Sequence, residues 1–170
     1  EILNRYGLEK GRYAVSVCRI EPENNCHISL EALSECDVMF VFVGNWQHSE
    51  YARNLKSTYE ARKNIILLNS IYDLDVLYTL RSNAGWYIHG HSAGGTNPSL
   101  VEAMFFGCPI LAYSVVYNWE TTAYGAYFFG NSKELRDLLL RTDLCGENMV
   151  RIAKECYTWK RIARQYEELY

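Results

Sequence analysis

Apolar runs of strand length recur along the chain, with helix-patterned segments between them. The runs are "RYAVSVC" (12–18), "DVMFVFVG" (37–44), "NIILLN" (64–69), "GWYIHG" (85–90), "CPILAY" (108–113) and, more weakly, "GAYFF" (125–129). They are continuous rather than alternating, as strands covered on both faces are. Between them lie "NCHISLEALSE", "SEYARNLKSTYEAR", "YDLDVLYTLRSN" and "NPSLVEAMFFG", each with apolar residues at three-to-four spacing. This β–α alternation predicts an α/β fold, a Rossmann-like doubly wound parallel sheet of about six strands with helices on both faces. After Asn131 the texture turns helical, and "ENMVRIAKECYTWKRIARQYEELY" predicts a tail of amphipathic helices over residues 144–170. No internal repeat, low-complexity segment or linker interrupts the pattern.

At 170 residues the chain suits one domain, residues 1–170, rather than two of ordinary size. A formal charge of −3 with no basic run excludes an electrostatic footprint for nucleic acid. The six cysteines, Cys18, Cys26, Cys36, Cys108, Cys145 and Cys156, are scattered without metal-type spacing, so they are expected to be reduced, buried, cytosolic thiols. No apolar run approaches the roughly 20 residues that span a bilayer, and no signal peptide is expected. Opening on Glu1 without an initiator methionine, the chain is expected to be part of a longer one.

In an open α/β sheet ligands bind beyond the carboxyl ends of the strands, where strand order reverses. The loop "HSAGGTN" after the fourth run is such a place. Gly94 and Gly95 let a ligand approach the backbone, Thr96 or Asn97 can cap the next helix, and Pro98 suits its first position. The amides of Ser99, Leu100 and Val101 are then expected to point outward unpartnered, a cradle for phosphate; a capped core helix without a ligand is the alternative. Glu102 sits one turn inside that helix among apolar neighbours, so its carboxylate is either salt-bridged or turned to the cleft, where it could accept ribose hydroxyls.

Arg19 follows the first strand directly and can grip a diphosphate, although pairing with Glu21 or Glu23 would also account for it. Asn24 and Asn25 could cap the following helix. His89 and His91 point the same way at the end of the fourth strand. His89 is expected to be a hydrogen-bonded core imidazole, and His91 to reach a ligand's phosphate or sugar. No histidine–cysteine set has metal-ligand spacing, so no metal site is expected.

The ordered segments "RIEPEN", "FVFVGN", "NIILLNSIYD", "GGTNPSLVEAM", "YNWE" and "TWKRIARQYEEL" resemble the carboxyl-terminal, donor-binding half of retaining two-domain (GT-B) glycosyltransferases of the family-4 group, from Tyr13 to Leu169. The wording is most similar to bacterial rhamnosyltransferase-type enzymes of polysaccharide assembly. The resemblance implies a nucleotide-diphosphate-sugar donor, no metal or other cofactor, a glycan or lipid-linked acceptor, and an amino-terminal Rossmann domain that is not part of this chain. It further implies a cytoplasmic enzyme, peripheral to the inner membrane through that other half, and a fragment inactive alone.

Carried over residue by residue, the family's ribose glutamate matches Glu102, and the first glutamate of its E-x7-E pattern falls on Gly94. Its diphosphate arginine matches Arg19, and its lysine falls on Asn24. Ser70 and Ile71 match the base-holding segment, with Gly44 at the neighbouring turn. Asn118 and Glu120 match an acidic position beyond the fifth strand, a capping pair for a short helix being the alternative. Arg19 and Glu102 are thus the expected catalytic pair, acting electrostatically. A nucleotide-sugar epimerase half and a ligand-free flavodoxin-like interaction module are the competing functions.

Overall fold

The computed structural model describes residues 1–167. Its strands are β1 (Tyr13–Val17), β2 (Met39–Val43), β3 (Ile65–Leu68), β4 (Trp86–His89), β5 (Ile110–Tyr113) and β6 (Tyr127–Phe129), each inside one of the apolar runs. They form one parallel sheet in the order β3-β2-β1-β4-β5-β6. That is the doubly wound order of dinucleotide-binding sheets, and the chain reverses direction across the sheet between β1 and β4.

The connecting helices are α1 (Ile2–Arg5), α2 (Cys26–Ser34), α3 (Glu50–Tyr59), α4 (Leu74–Ser82), α5 (Pro98–Met104), α6 (Val116–Thr121) and α7 (Ser132–Leu139), followed by α8 (Glu147–Cys156) and α9 (Trp159–Glu167). Side-chain caps set several of the starts: Ser49, Asp73, Asn97 and Asn131 each accept a first-turn amide of α3, α4, α5 and α7. The α1 turn has no counterpart in the sequence pattern.

Side chains alternate across the sheet and feed two cores. Tyr13, Val15, Val41, Tyr87 and Ile110 face Leu80 of α4, Leu100 and Met104 of α5, and Met149 and Ile152 of α8. Ala14, Phe40, Phe42, Ile88 and Leu111 face Leu30 of α2, Ala52 of α3 and Leu135 of α7. Each fully buried Phe or Leu contributes roughly 1.5–3 kcal/mol of transfer free energy. With cores on both faces, no strand needs a polar side, which is why the runs do not alternate.

The cysteine expectation needs correction. All six are free, but Cys145 and Cys156 are exposed, and only Cys26 and Cys108 are fully buried. Cys145 lies in the loop before α8 and Cys156 ends that helix, so neither faces the sheet. In the tail, Trp159 is 85% exposed. The side chain of Tyr166, expected to be exposed with it, lies outside the described residues. Among the described residues no helix is long and apolar enough to cross a membrane.

Candidate functional site

The crevice beyond β1, β2 and β3 holds a solvent-open cavity of about 200 Å³, lined among others by Arg19, Gly44, Ser70, Ile71 and Ser99. Residues from three strand ends and from the start of α5 therefore share one space. Glycine is required at position 44, because a Cβ there would lie 2.4 Å from Cδ1 of Ile20 and 2.7 Å from the Cys18 carbonyl. Arg19 is 73% exposed and only loosely held, with one guanidinium nitrogen 3.5 Å from the Glu21 carboxylate. The surface pairing anticipated as the alternative is thus present, and at that distance and exposure it is weak. The Cys18 thiol at the cavity wall is pushed up by its contact with Cys26 and by burial, so it is a poor nucleophile.

The loops after β1 and β4 are stitched together at the reversal point. Asn24 donates from Nδ2 to the Arg19 carbonyl at 2.7 Å, and its Oδ1 lies 2.6 Å from Nδ1 of His91. Asn25 takes the left-handed conformation at φ 46° and donates to the Gly90 carbonyl at 2.8 Å, so it does not cap α2 with its side chain. Both the amide and the hydroxyl of Ser92 donate to the Glu23 carbonyl, at 2.8 and 2.9 Å. A Cβ on Gly90 would stand 2.2 Å from the Asn24 carbonyl, so the two backbones touch there. Asn24, matched to the family's lysine, is thus a buried structural link.

At the start of α5 the structure corrects the sequence reading. Gly94 and Gly95 take φ of 53° and 59°, with no neighbour crowding a Cβ, so backbone conformation rather than space selects glycine. The amides of Ser99, Leu100 and Val101 are not orphans. Asn97 Oδ1 accepts from Ser99 at 2.9 Å, and the Asn97 carbonyl accepts from Leu100 and Val101, both at 3.1 Å. A ligand at this helix start meets Ser99, the exposed Thr96 and the glycine loop rather than a row of free amides.

Glu102 does not line the Arg19 cavity. It faces a separate cavity of about 260 Å³ between α4 and α5, with Leu74, Asp75, Tyr78, Arg81 and Phe106 on its walls. There its carboxylate lies 2.7 Å from the Arg81 guanidinium, the arginine side chain being 5% exposed and the glutamate 56%. The salt bridge weighed for this lone carboxylate is therefore real. Arg81 was missed in the sequence: an arginine in the last turn of α4 reads as a solvated helix end, although its neighbour Leu80 is in the core. Arg81 Nε is buried and, among the described residues, has no hydrogen-bond partner.

His89 is 3% exposed and stacks on Tyr87. It is in the core as expected, but not with the expected hydrogen bond at Nε2, which is buried without a partner among the described residues. Burial, with His91 nearby, pulls its pKa down to about 3, so the ring is neutral. Asn118 is buried and donates to the carbonyls of His91 and Tyr113, both at 2.9 Å, tying β5 to the loop after β4. Glu120 is exposed and accepts from the Tyr124 hydroxyl at 3.0 Å. Neither lines the Arg19 cavity.

The model of one protein family, the glycosyl transferases group 1, matches residues 1–144. No curated protein matches the chain. Among solved structures, HepE from Anabaena in complex with UDP superposes with a TM-score of 0.82 at 19% identity, over 99% of this chain and 50% of HepE. Sucrose-phosphate synthase from Thermosynechococcus elongatus does so with a TM-score of 0.82 at 19% identity, over 99% of this chain and 47% of the synthase. The C-terminal domain of LpcC, a glycosyl transferase group 1 family protein from Francisella tularensis, gives 0.73 at 17% identity, over 93% of this chain and 92% of that domain. The chain spans about half the length of HepE and of the synthase, and its architecture is that of one half of a GT-B fold. On that match and that sheet, the chain belongs to the glycosyl transferases group 1 family.

Proposed function

We propose that this chain is the donor-binding half of a glycosyl transferase that moves a sugar from a nucleotide-diphosphate sugar to a glycan or lipid-linked acceptor. The observation that carries the reading is the meeting of Arg19, Gly44, Ser70, Ile71 and Ser99 in one open cavity at the carboxyl ends of the strands. HepE has been solved with UDP and with UDP-glucose, which supports a nucleotide sugar as the ligand.

In this reading Arg19 leaves its loose contact with Glu21 and grips the diphosphate, where a guanidinium binds two oxygens at once. Glu102, held in place by Arg81, accepts the ribose hydroxyls, and the backbone at Ser70 and Ile71 faces the base. Catalysis is electrostatic: Arg19 stabilises the charge that develops on the departing nucleoside diphosphate. Donor binding uses no metal, so chelation with EDTA leaves the affinity unchanged. The finer parts of the proposal are retained anomeric configuration, a hexosyl donor and a role in bacterial surface polysaccharide synthesis, with the acceptor presented by a second Rossmann domain.

One pair of observations favours a ligand-free interaction module instead. The Arg81–Glu102 pair is closed without any ligand, and Arg19 has a weak partner in Glu21. Saturation-transfer measurements with UDP, GDP and TDP and their sugar conjugates separate the two. Transfer of saturation to one base and ribose supports the donor-site reading; silence across the whole set leaves the module.

A further inference from the structure

Asn24 fixes which nitrogen of His91 carries the proton. Its Nδ2 donates to the Arg19 carbonyl at 2.7 Å, which orients the amide and leaves Oδ1 facing His91 Nδ1 at 2.6 Å. A carboxamide oxygen only accepts, so Nδ1 is the protonated nitrogen, and in the neutral ring Nε2 holds the lone pair. Among the described residues, no hydrogen-bond partner reaches that Nε2.

The backbone that carries the ring is also held. Asn118 donates to the His91 carbonyl at 2.9 Å, and Ser92 is clamped to the Glu23 carbonyl. His91 thus stands as a half-buried acceptor just beyond β4; Ser92 is engaged with Glu23, and Ala93, Gly94 and Gly95 carry no side-chain acceptor. The charged group that faces it is Glu23, and neutral His89, the last residue of β4, lies at 6.1 Å between ring centroids.

A lone pair is complementary to a hydroxyl, which donates, and not to a phosphate oxygen, which only accepts. We infer that His91 Nε2 accepts a hydrogen bond from a hydroxyl of the donor's sugar and so sets preference for that sugar, with Asn24 as the positioning residue that keeps the nitrogen bare. This rests on the donor-site reading proposed above.

The test compares each nucleoside diphosphate with its sugar conjugate by calorimetry at mildly alkaline pH. The pairs are UDP with UDP-glucose, GDP with GDP-mannose and TDP with TDP-rhamnose. For the pair that the wild type prefers, His91→Phe is expected to weaken the sugar conjugate roughly three- to tenfold, the scale of one neutral hydrogen bond, and the plain diphosphate less than about twofold. His91→Gln, whose carboxamide oxygen still accepts, keeps most of the conjugate's affinity. Nitrogen-15 shifts of the ring show Nδ1–H with bare Nε2, and Asn24→Ala restores a tautomer mixture while costing part of the same affinity. Equal losses for diphosphate and conjugate, no loss for either, or an Nε2–H ring in the wild type would overturn the inference. If the wild type binds none of the diphosphates, the donor-site reading fails first, and this inference with it.

Discussion

His89 and Glu102 are each placed by tertiary contacts that give a measurable signature. His89 is neutral in the folded protein with its pKa pulled down to about 3, whereas an unfolded histidine titrates near 6.5. The unfolded state therefore binds an additional proton as the pH falls below about 6.5, and folding stability decreases from there towards pH 3, by at most about 1.4 kcal/mol per pH unit. Above about pH 7 the residue adds no pH dependence. Urea midpoints between pH 5 and 7.5 check this, because His89→Leu should flatten the acid side of the profile. An equally steep profile in the variant would assign the slope to other groups.

Glu102→Ala is expected to do two things at once. On the proposed donor-site reading it removes a ribose contact, and it leaves the Arg81 guanidinium buried without its carboxylate. Since the glutamate is itself more than half exposed, the stability cost is expected to be about 1–3 kcal/mol, below that of breaking a fully buried pair. Arg81→Met with Glu102 kept separates the roles, because it removes the buried charge and leaves the carboxylate. Full nucleotide affinity in a folded Glu102→Ala protein would make the residue purely structural. The pair was not legible in the sequence, since a glutamate's partner on another helix is fixed by how α4 packs beside α5 and not by any local spacing.

At the scale of elements, the strands and most helices were legible because strands buried on both faces leave continuous apolar runs. The Asn97 cap and Pro98 at the first helical position likewise follow from local chemistry. The partners of the α5 amides were not legible, because the cap closes on Ser99 and leaves the cradle to the glycine loop. Nor could the sequence show that Asn24 and His91, 67 positions apart, meet where the β1 and β4 loops touch. That meeting depends on Gly90. Gly90→Ala is expected to destabilise by about 1–3 kcal/mol, as overpacking a tight contact does, and to loosen nucleotide binding by parting the two loops. Thermal melts and nucleotide titrations on the variant check this; wild-type values in both would mean the backbones separate at no cost.

For the molecule as a whole, β–α alternation predicted a doubly wound sheet, and the strand order then fixed where its crevice lies. Two of the expected site residues fall in different cavities, Arg19 beside β1 and Glu102 between α4 and α5. On the proposed donor-site reading, a bound nucleotide extends from one to the other, from the cavity at Ile71 to the cavity at Leu74. Residues 1–170 are expected to bind the donor and transfer sugar at a negligible rate. If, as proposed, the acceptor is presented by a second Rossmann domain, residues 1–170 tested by themselves forgo positioning worth some 7–11 kcal/mol. Product analysis with a glycolipid acceptor checks the rate, and transfer comparable to that of a two-domain relative would contradict it.

The opposite end of the sheet carries a larger cavity, about 540 Å³, walled in part by Arg12, Asp37, Trp86 and Arg136, and volume alone would favour it as the ligand site. Mapping amide chemical-shift changes on titration with the preferred nucleoside diphosphate decides between the two ends. The account predicts saturable changes at Arg19, Gly44, Ser70, Ile71 and Ser99, with Trp86 and Arg136 silent. Changes centred on Arg12, Trp86 and Arg136, or no saturable change in the folded protein, would contradict it.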